Sequence, residues 1–198
     1  MKVKLIQQTK KPIEFIAQIA SICYDSNPTD PLALVKKLYK NGHHSVFEHV
    51  YFTFKIEGIS RACSHQLVRY RHCSFTQRSQ RYCEETGFEF VLPKKAVRGF
   101  GGTMAIMQMH YNEALLAGVP AEDARYILPN ACKTSLYLSC NLRELIHMAN
   151  ERLCTRAQWE IRELVWQMVE AVDESLHFML VPKCEAPHLN CLEPCGGK

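Results

Sequence analysis

A run of apolar residues between positions 155 and 172 constrains the fold of this chain more than any other feature. The residues recur at intervals of three and four: Ala157, Ile161, Leu164, Val165, Met168, Val169 and Val172. This spacing places them on one face of a helix, and Thr155 is a suitable N-cap for it. The sequence therefore predicts an amphipathic helix, the longest of the chain, that buries one face in a core.

Strand-like and helical patterns share the rest of the chain. Aromatic and β-branched residues predict a strand at 47–56, and shorter strands are predicted at 2–6, 88–92 and 134–140. Helices are predicted at 12–23, 31–39, 60–69, 104–117, 120–126 and 141–152, with a flexible connection at 99–102. Together these patterns predict a single α+β domain: an antiparallel or mixed sheet flanked by helices, with a long C-terminal helix.

Composition limits the class of protein. The chain has 198 residues, of which 47% are hydrophobic and 22% charged, values typical of one globular domain. No apolar run approaches the roughly 18–20 residues that span a bilayer, and the N-terminus does not resemble a secretion signal. Ten cysteines without such a signal favour reduced thiols in the cytoplasm. The net charge of +4 suits anionic small molecules and does not require nucleic acid.

Residues 69–82 are the strongest indication of function. Positions 61–81 contain five arginines and no lysine. A guanidinium binds phosphate or carboxylate through two parallel hydrogen bonds, whereas an ammonium is a point charge. Short polar side chains and aromatic rings alternate with the arginines: Tyr70, His72, Ser74, Phe75, Thr76, Gln77, Ser79 and Tyr82. The segment therefore predicts a nucleotide-binding loop, with a solvated basic surface or an RNA-binding module as alternatives.

Two further clusters have plainer interpretations. Asn141 is a good N-cap with Glu144 three residues later, and Arg143 and His147 share the face of the helix that it begins. An ordinary exposed face with a surface ion pair is the alternative. Near position 45, His43, His44 and His49 lie close to Glu48, but their placement in a turn and a strand favours hydrogen bonding over a metal.

The C-terminal tail contains four soft metal ligands. Cys184, His188, Cys191 and Cys195 lie within twelve residues, but their spacing is not a standard zinc pattern. The prediction is a reduced tail without a metal, with a structural zinc site as the alternative. The sequence also lacks the common catalytic motifs, so the chemistry of an enzyme with this sequence is expected to come from a bound cofactor.

The spacing of Arg69, Arg71 and Ser79 resembles the signature of the flavin-dependent thymidylate synthases, Arg-His-Arg followed by seven residues and Ser. The likeness covers about residues 1–180, which implies a family domain at 1–182 and a cysteine-containing tail at 183–198. Other anchors occur in the same order: Gly42-His43, Phe47-Glu48-His49, Gln66, Arg81-Tyr82, Ala124-Arg125, Leu128-Pro129, Asn141, Arg143, His147, Arg152 and residues 157–161.

This resemblance implies an activity. Members of this family are homotetramers with active sites at subunit interfaces. NADPH reduces the FAD that these sites bind. The methylene group of 5,10-methylenetetrahydrofolate is transferred to C5 of dUMP, giving dTMP. Neither nucleic acid nor a membrane is expected as a partner. A C5-methylase acting on UMP is the first alternative, and an RNA-binding module ranks below it.

The resemblance also assigns site residues. FAD contacts are expected from Ser45, Arg69, Tyr70, Arg71, Gln77, Asn141, Arg143 and His147. The residues expected at dUMP are Gln66, Leu67, Val68, Arg69, Gln77, Arg78, Ser79, Gln80, Arg81, Arg125 and Arg152. Arg152 is the expected catalytic residue because a guanidinium beside the uracil ring stabilises negative charge as it develops. Tyr70 replaces the usual His of the signature, and Gln77 replaces a frequent Glu.

Overall fold

A computed structural model describes residues 1–25 and 28–193. Within them, four strands form one antiparallel sheet in the order β1-β2-β4-β3. The strands are β1 (Lys2–Gln8), β2 (Tyr51–Ser60), β3 (Cys73–Gln77) and β4 (Lys133–Asn141). The α+β prediction is confirmed, and the sheet is antiparallel rather than mixed.

Seven α-helices accompany the sheet in the described part of the chain. They are α1 (Pro12–Ser21), α2 (Pro31–Lys40), α3 (Arg61–Leu67), α4 (Phe100–Leu116), α5 (Ala121–Ala124), α6 (Leu142–Arg152) and α7 (Trp159–Ala171). Short 3-10 helices occur at Ile22–Tyr24, Ser45–His49, Arg125–Ile127 and Glu174–Met179.

The core lies on one face of the sheet. Alternate residues of the two central strands point into it and are buried: Phe52, Phe54 and Ile56 from β2, and Leu136, Leu138 and Cys140 from β4. Helix α7 packs against β1 and α6, with Ile161, Leu164, Val165 and Met168 fully buried. The apolar stripe of the sequence thus does provide a buried helix face.

The long C-terminal helix is not observed. Helix α7 begins at Trp159 and has 13 residues, whereas α4 has 17. Gln158 is the N-cap in place of Thr155, because its side-chain oxygen accepts hydrogen bonds from Glu160 N and Ile161 N at 2.9 and 3.1 Å. Helix α4 begins at Phe100, so the predicted flexible connection at 99–102 is wrong after its first residue.

Two predicted strands and one predicted loop differ from the structure. The strand predicted at 47–56 begins at Tyr51, because residues 45–49 turn into a 3-10 helix closed by a hydrogen bond from Val50 N to Phe47 O. The strand predicted at 88–92 is reduced to one bridge, Phe90 with Cys132. Conversely, the predicted loop at 69–82 contains β3, which pairs with the free edge of β4.

Candidate active site

Helix α6 presents two of the expected cofactor residues to one cavity. Asn141 begins the helix, and its Oδ1 accepts a hydrogen bond from Glu144 N at 2.9 Å, as the capping pattern predicts. Arg143 and His147 lie one turn apart, and both line a cavity of about 510 Å³ together with Asn141. The cap therefore fixes the direction in which these side chains face a ligand.

The opposite wall of this cavity comes from two other segments. His44 and Glu48 belong to the turn and 3-10 helix before β2, and His188 and Leu189 belong to the segment after the last helix. Glu48 forms an ion pair with Arg143, whose Nη1 lies 2.5 Å from Oε1. Burial lowers the pKa of His44, and the nearby Arg143 charge lowers it further. A neutral imidazole thus faces a cationic helix end.

Tyr70 connects the arginine segment to helix α6. Its side chain is only 7% exposed, and its hydroxyl accepts a hydrogen bond from Arg152 Nε at 2.9 Å. The Arg152 guanidinium also lies 5.7 Å from the centre of the Tyr70 ring, and His147 meets that ring edge-on at 5.6 Å. Burial raises the pKa of Tyr70 although Arg152 opposes this rise, so the phenol is neutral at pH 7.

Arg69 and Arg71 lie beside this contact and are exposed. With Tyr70, His72, Glu144 and His147 they line a smaller cleft of about 240 Å³. His72 and His147 also line the larger cavity, so the two spaces adjoin. Ser45 is exposed, but the larger cavity is lined by its neighbour His44.

A second group of expected residues converges on Glu122. Arg81 Nε lies 2.6 Å from Glu122 Oε2, and Arg125 Nε donates to the backbone oxygen of Glu122 at 2.9 Å. The hydroxyl of Ser79 accepts a hydrogen bond from Arg81 N at 3.2 Å. Arg81 thus holds the Glu122 carboxylate where another anion could replace it, while Arg125 contacts the backbone of Glu122 and Ser79 contacts that of Arg81.

The other residues expected at the substrate bond to neighbouring protein groups or are partly buried. Gln77 Nε2 donates to Ser64 Oγ at 3.0 Å and to Thr134 Oγ1 at 3.2 Å, and Arg78 forms an ion pair with Glu85. Gln80 is buried beside Cys132. In helix α3 and just after it, Gln66 is half-buried, Leu67 is fully buried in the core and Val68 is 40% exposed.

Strand β3 separates the two groups of residues. Arg71 precedes it and Arg78 follows it, and five residues at about 3.3 Å each span about 16 Å. The residues that line the two adjoining cavities include none of those around Glu122. The structure brings the expected FAD residues of α6 together with Tyr70 and Arg152, and it places the Glu122 group apart from them.

Sequence reasoning missed several residues of the larger cavity: His44, Glu48, Asn150, His188 and Leu189. Asn150 is 5% exposed, and its Oδ1 has no hydrogen-bond partner within residues 1–25 and 28–193. Its position three residues after His147 on the same helix face is a signal that could have identified it. No sequence pattern connects His188 to this cavity.

Metal-ligand groups and membrane-spanning helices can be assessed only in the described residues. In residues 1–25 and 28–193, no group of three or more His, Cys, Asp or Glu side chains is arranged to hold a metal ion. Cys195 of the tail lies outside these residues. The helices between residues 1 and 193 that the structure describes are also too short or too polar to cross a bilayer.

Known proteins with similar sequences are flavin-dependent thymidylate synthases. A flavin-dependent thymidylate synthase of Geobacter sulfurreducens is 43% identical over 190 residues, covering 87% of this chain and 82% of that protein. The one from Pyrococcus abyssi is 40% identical over 192 residues, covering 87% and 79%.

Solved structures share the fold at lower identity. The Helicobacter pylori thymidylate synthase ThyX, solved with FAD and dUMP, superposes with a TM-score of 0.81 at 21% identity and covers 91% of this chain and 97% of its own. The UMP/dUMP methylase PolB of Streptomyces cacaoi, bound to 5-Br dUMP, gives 0.79 at 22%, covering 90% and 93%.

The family profile described as thymidylate synthase complementing protein matches residues 4–176. This match spans most of the sheet, α6 and the arginine segment, and thus both groups of site residues. Together with the identities above, it confirms the resemblance seen in the sequence: the chain belongs to the family of flavin-dependent thymidylate synthases.

Proposed function

We propose that this chain catalyses the reductive methylation of dUMP at C5 to give dTMP, with FAD as hydride carrier. NADPH reduces the flavin, and 5,10-methylenetetrahydrofolate donates the carbon. One observation carries the proposal: Arg152 is held by Tyr70, the middle residue of the family signature, and Tyr70 lines the cleft that adjoins the α6 cavity. The names of the relatives, and the FAD and dUMP in the Helicobacter pylori structure, support the same activity.

The residues of the larger cavity fit a flavin nucleotide. Its volume of about 510 Å³ is within the range of ligand pockets, roughly 300–1,000 Å³. Arg143 is a donor for phosphate oxygens, His147 presents a ring, and Asn150 Oδ1 is an acceptor without a partner in the described residues. The residues proposed to hold FAD are Ser45, Arg69, Tyr70, Arg71, Gln77, Asn141, Arg143 and His147.

Bound and reduced FAD supplies the hydride that turns the transferred methylene into a methyl group. The contribution of Arg152 follows from its geometry. Because Tyr70 accepts from Nε, the two terminal amino groups are left to face a ligand. A uracil ring placed there gains a fixed positive group beside its polar edge, which stabilises negative charge when C5 acts as the nucleophile. The buried phenol keeps the guanidinium in position.

The group around Glu122 suits the 5′-phosphate of the nucleotide. Arg81 and Arg125 supply two guanidinium groups and Ser79 a hydroxyl. A phosphate carries more charge than the Glu122 carboxylate and accepts bidentate bonds, so it competes for Arg81. Gln66, Leu67, Val68, Arg69, Gln77, Arg78, Gln80 and Arg152 complete the proposed substrate set.

The distance between the two groups supports a homotetramer with active sites at subunit interfaces. Strand β3 spans about 16 Å between Arg71 and Arg78, and no residue of the Glu122 group lines the α6 cavity, so a neighbouring subunit is proposed to supply this group. Helix α4 exposes Ile106, Met109 and Leu116, at 55%, 48% and 89%, which an interface would cover. The family domain is proposed to span residues 1–182, with a tail at 183–198.

The cytoplasm is the proposed location. Cys63, Cys132 and Cys140 are buried thiols without a disulfide, and burial raises the pKa of Cys63 to about 12 and that of Cys132 to about 11. Free thiols of this kind are typical of proteins in a reducing compartment such as the cytoplasm.

Two measurements test the proposed function. Purified protein should bind FAD with a visible flavin absorption band that NADPH bleaches. With methylenetetrahydrofolate and NADPH added, it should release tritium from C5-labelled dUMP. Protein that takes up no FAD, or that releases no tritium from dUMP, would refute the proposal. Release from C5-labelled UMP at a higher rate would favour a UMP methylase instead.

A further inference from the structure

The segment after the last helix forms part of the larger cavity. The family match ends at residue 176, yet His188 and Leu189 line this cavity beside Asn141 and Arg143. The His188 ring meets the His44 ring edge-on, with 4.4 Å between their centres and an interplanar angle of 90°. One wall of the cavity therefore comes from residues that the family profile does not include.

A hydrogen bond, a buried side chain and an ion pair hold this segment in place. Lys183 N donates to the backbone oxygen of Asn150 on α6 at 3.1 Å. Ala186 is only 4% exposed, and Glu193 forms an ion pair with Arg156. The segment is thus attached near its start, in the middle and at its end, and His188 is positioned by more than its own ring contacts.

His188 in turn positions His44. Tyr39 stacks on His44 at 5.6 Å and 15°, and His188 meets Tyr39 edge-on at 4.8 Å. His44 Nε2 lies 3.2 Å from the backbone oxygen of Tyr39. The three rings form one packed cluster at the cavity wall, and edge-to-face contacts of this kind favour one orientation of each ring.

We infer that residues 183–193 form a wall of the flavin pocket and that His188 is a positioning residue for bound FAD. The inference rests on the proposed function, because Asn141, Arg143 and His147 of the same cavity are the proposed FAD contacts. His188 holds the His44 ring against the cavity, and Leu189 adds apolar surface beside it. The contribution comes from the ring and its packing rather than from its charge.

Flavin fluorescence titration of full-length variants tests this inference. His188→Ala removes the ring and should weaken FAD binding about tenfold, the loss expected for roughly 1.4 kcal/mol of burial. His188→Phe keeps a ring of similar size and should stay within threefold of wild type. Rescue by Phe separates ring packing from a hydrogen bond or charge. Equal affinity of His188→Ala and wild type would overturn the inference, as would a Phe variant no better than Ala.

Two further variants separate this role from general stability. His177 lies in the 3-10 helix Glu174–Met179, and like His188 it has a buried ring nitrogen without a partner among the described residues. His177→Ala should leave FAD affinity unchanged. Ala186→Asp places a charge at the buried anchor and should displace the segment; its effect should not add to that of His188→Ala. Full additivity of the two effects on FAD affinity would contradict the inference that this segment forms a wall of the pocket. Wild-type protein that binds no FAD would refute the proposed function itself, whatever the variants do.

Discussion

The Arg152 side chain donates from Nε to the Tyr70 hydroxyl at 2.9 Å, and this contact joins the end of α6 to the residue between the two arginines of the family signature. Tyr70 stands where the family usually has histidine. The bond shows what the substitution provides: a buried, neutral acceptor that orients the proposed catalytic guanidinium.

Replacing Tyr70 with phenylalanine should remove this acceptor and keep the ring. A hydrogen bond to a charged group contributes about 1.5–3 kcal/mol, so kcat for tritium release from dUMP should fall at least tenfold. FAD affinity should stay within about twofold, since the ring contact with His147 remains. An unchanged kcat would contradict the orienting role. Tyr70→His, which restores the usual family residue, should lose less activity than Tyr70→Phe.

Removal of the Arg152 guanidinium should abolish most of the chemistry. Arg152→Ala should lower kcat by about 10²–10³, the effect of losing one group that stabilises developing charge. Arg152→Lys keeps the charge but not the planar fork, and should fall between wild type and Ala. Arg162 is a matched control, because it bonds to the Thr155 backbone oxygen away from the site. Arg162→Ala should keep normal turnover; wild-type turnover in Arg152→Ala would refute the assigned role.

The carboxylate of Glu122 should compete with the substrate phosphate for Arg81. Glu122→Gln removes this charge and should lower KM for dUMP about two- to fivefold, because partly exposed ion pairs contribute about 0.2–1 kcal/mol. Arg81→Ala should raise KM. Glu89 forms a similar exposed ion pair with Lys133, and Glu89→Gln should leave KM unchanged. A higher KM in Glu122→Gln would show that the carboxylate assists binding.

The sequence predicted some of these features because they depend on local chemistry. Asn141 caps α6 through its own side chain and Glu144 N, so a pattern of four residues was sufficient. The helix register then placed Arg143 and His147 on one face. The buried positions of α7 follow from the spacing of its apolar residues alone. An amphipathic helix can bury its apolar face only by turning that face toward the core.

Features that depend on distant partners were not predicted. Strand β3 exists because the edge of β4 is available for hydrogen bonding, and nothing in residues 73–77 reveals that partner. The Gln158 cap is local and was missed for a different reason: Thr155 has the more typical capping side chain, but the oxygen of Gln158 accepts from two N–H groups. His188 reaches the cavity only because the chain folds back against α6 after residue 182.

Glu160 should be a major contributor to stability. This carboxylate is 3% exposed and accepts hydrogen bonds from Ser60 N at 2.7 Å and Ser60 Oγ at 2.6 Å, which ties α7 to the N-cap of α3. Glu160→Ala should lower the free energy of unfolding by about 3 kcal/mol, since two bonds to a charged group are lost and buried donors remain. Urea denaturation measures this. Glu163→Ala, at an exposed position of α7, should change it by less than about 0.5 kcal/mol.

Acid should destabilise the ring cluster at the cavity wall. Burial lowers the pKa of both His44 and His188. The Arg143 guanidinium lowers the pKa of His44 further, and protonation of His44 lowers the pKa of His188 further. The unfolded chain binds protons at these residues near pH 6.5, before the folded chain does. The free energy of unfolding should therefore decrease as the pH falls below about 6.5 and through the lowered pKa values, whereas above that range this contribution is constant.

Variants assign the pH effect to these two residues. A double variant, His44→Phe with His188→Phe, removes both titrating groups and keeps the rings. Urea denaturation between pH 5 and pH 8 should then show a flatter slope than wild type. The paired variant His49→Phe with His65→Phe replaces exposed histidines and should retain the wild-type slope. An unchanged slope in the first double variant would show that other groups cause the acid sensitivity.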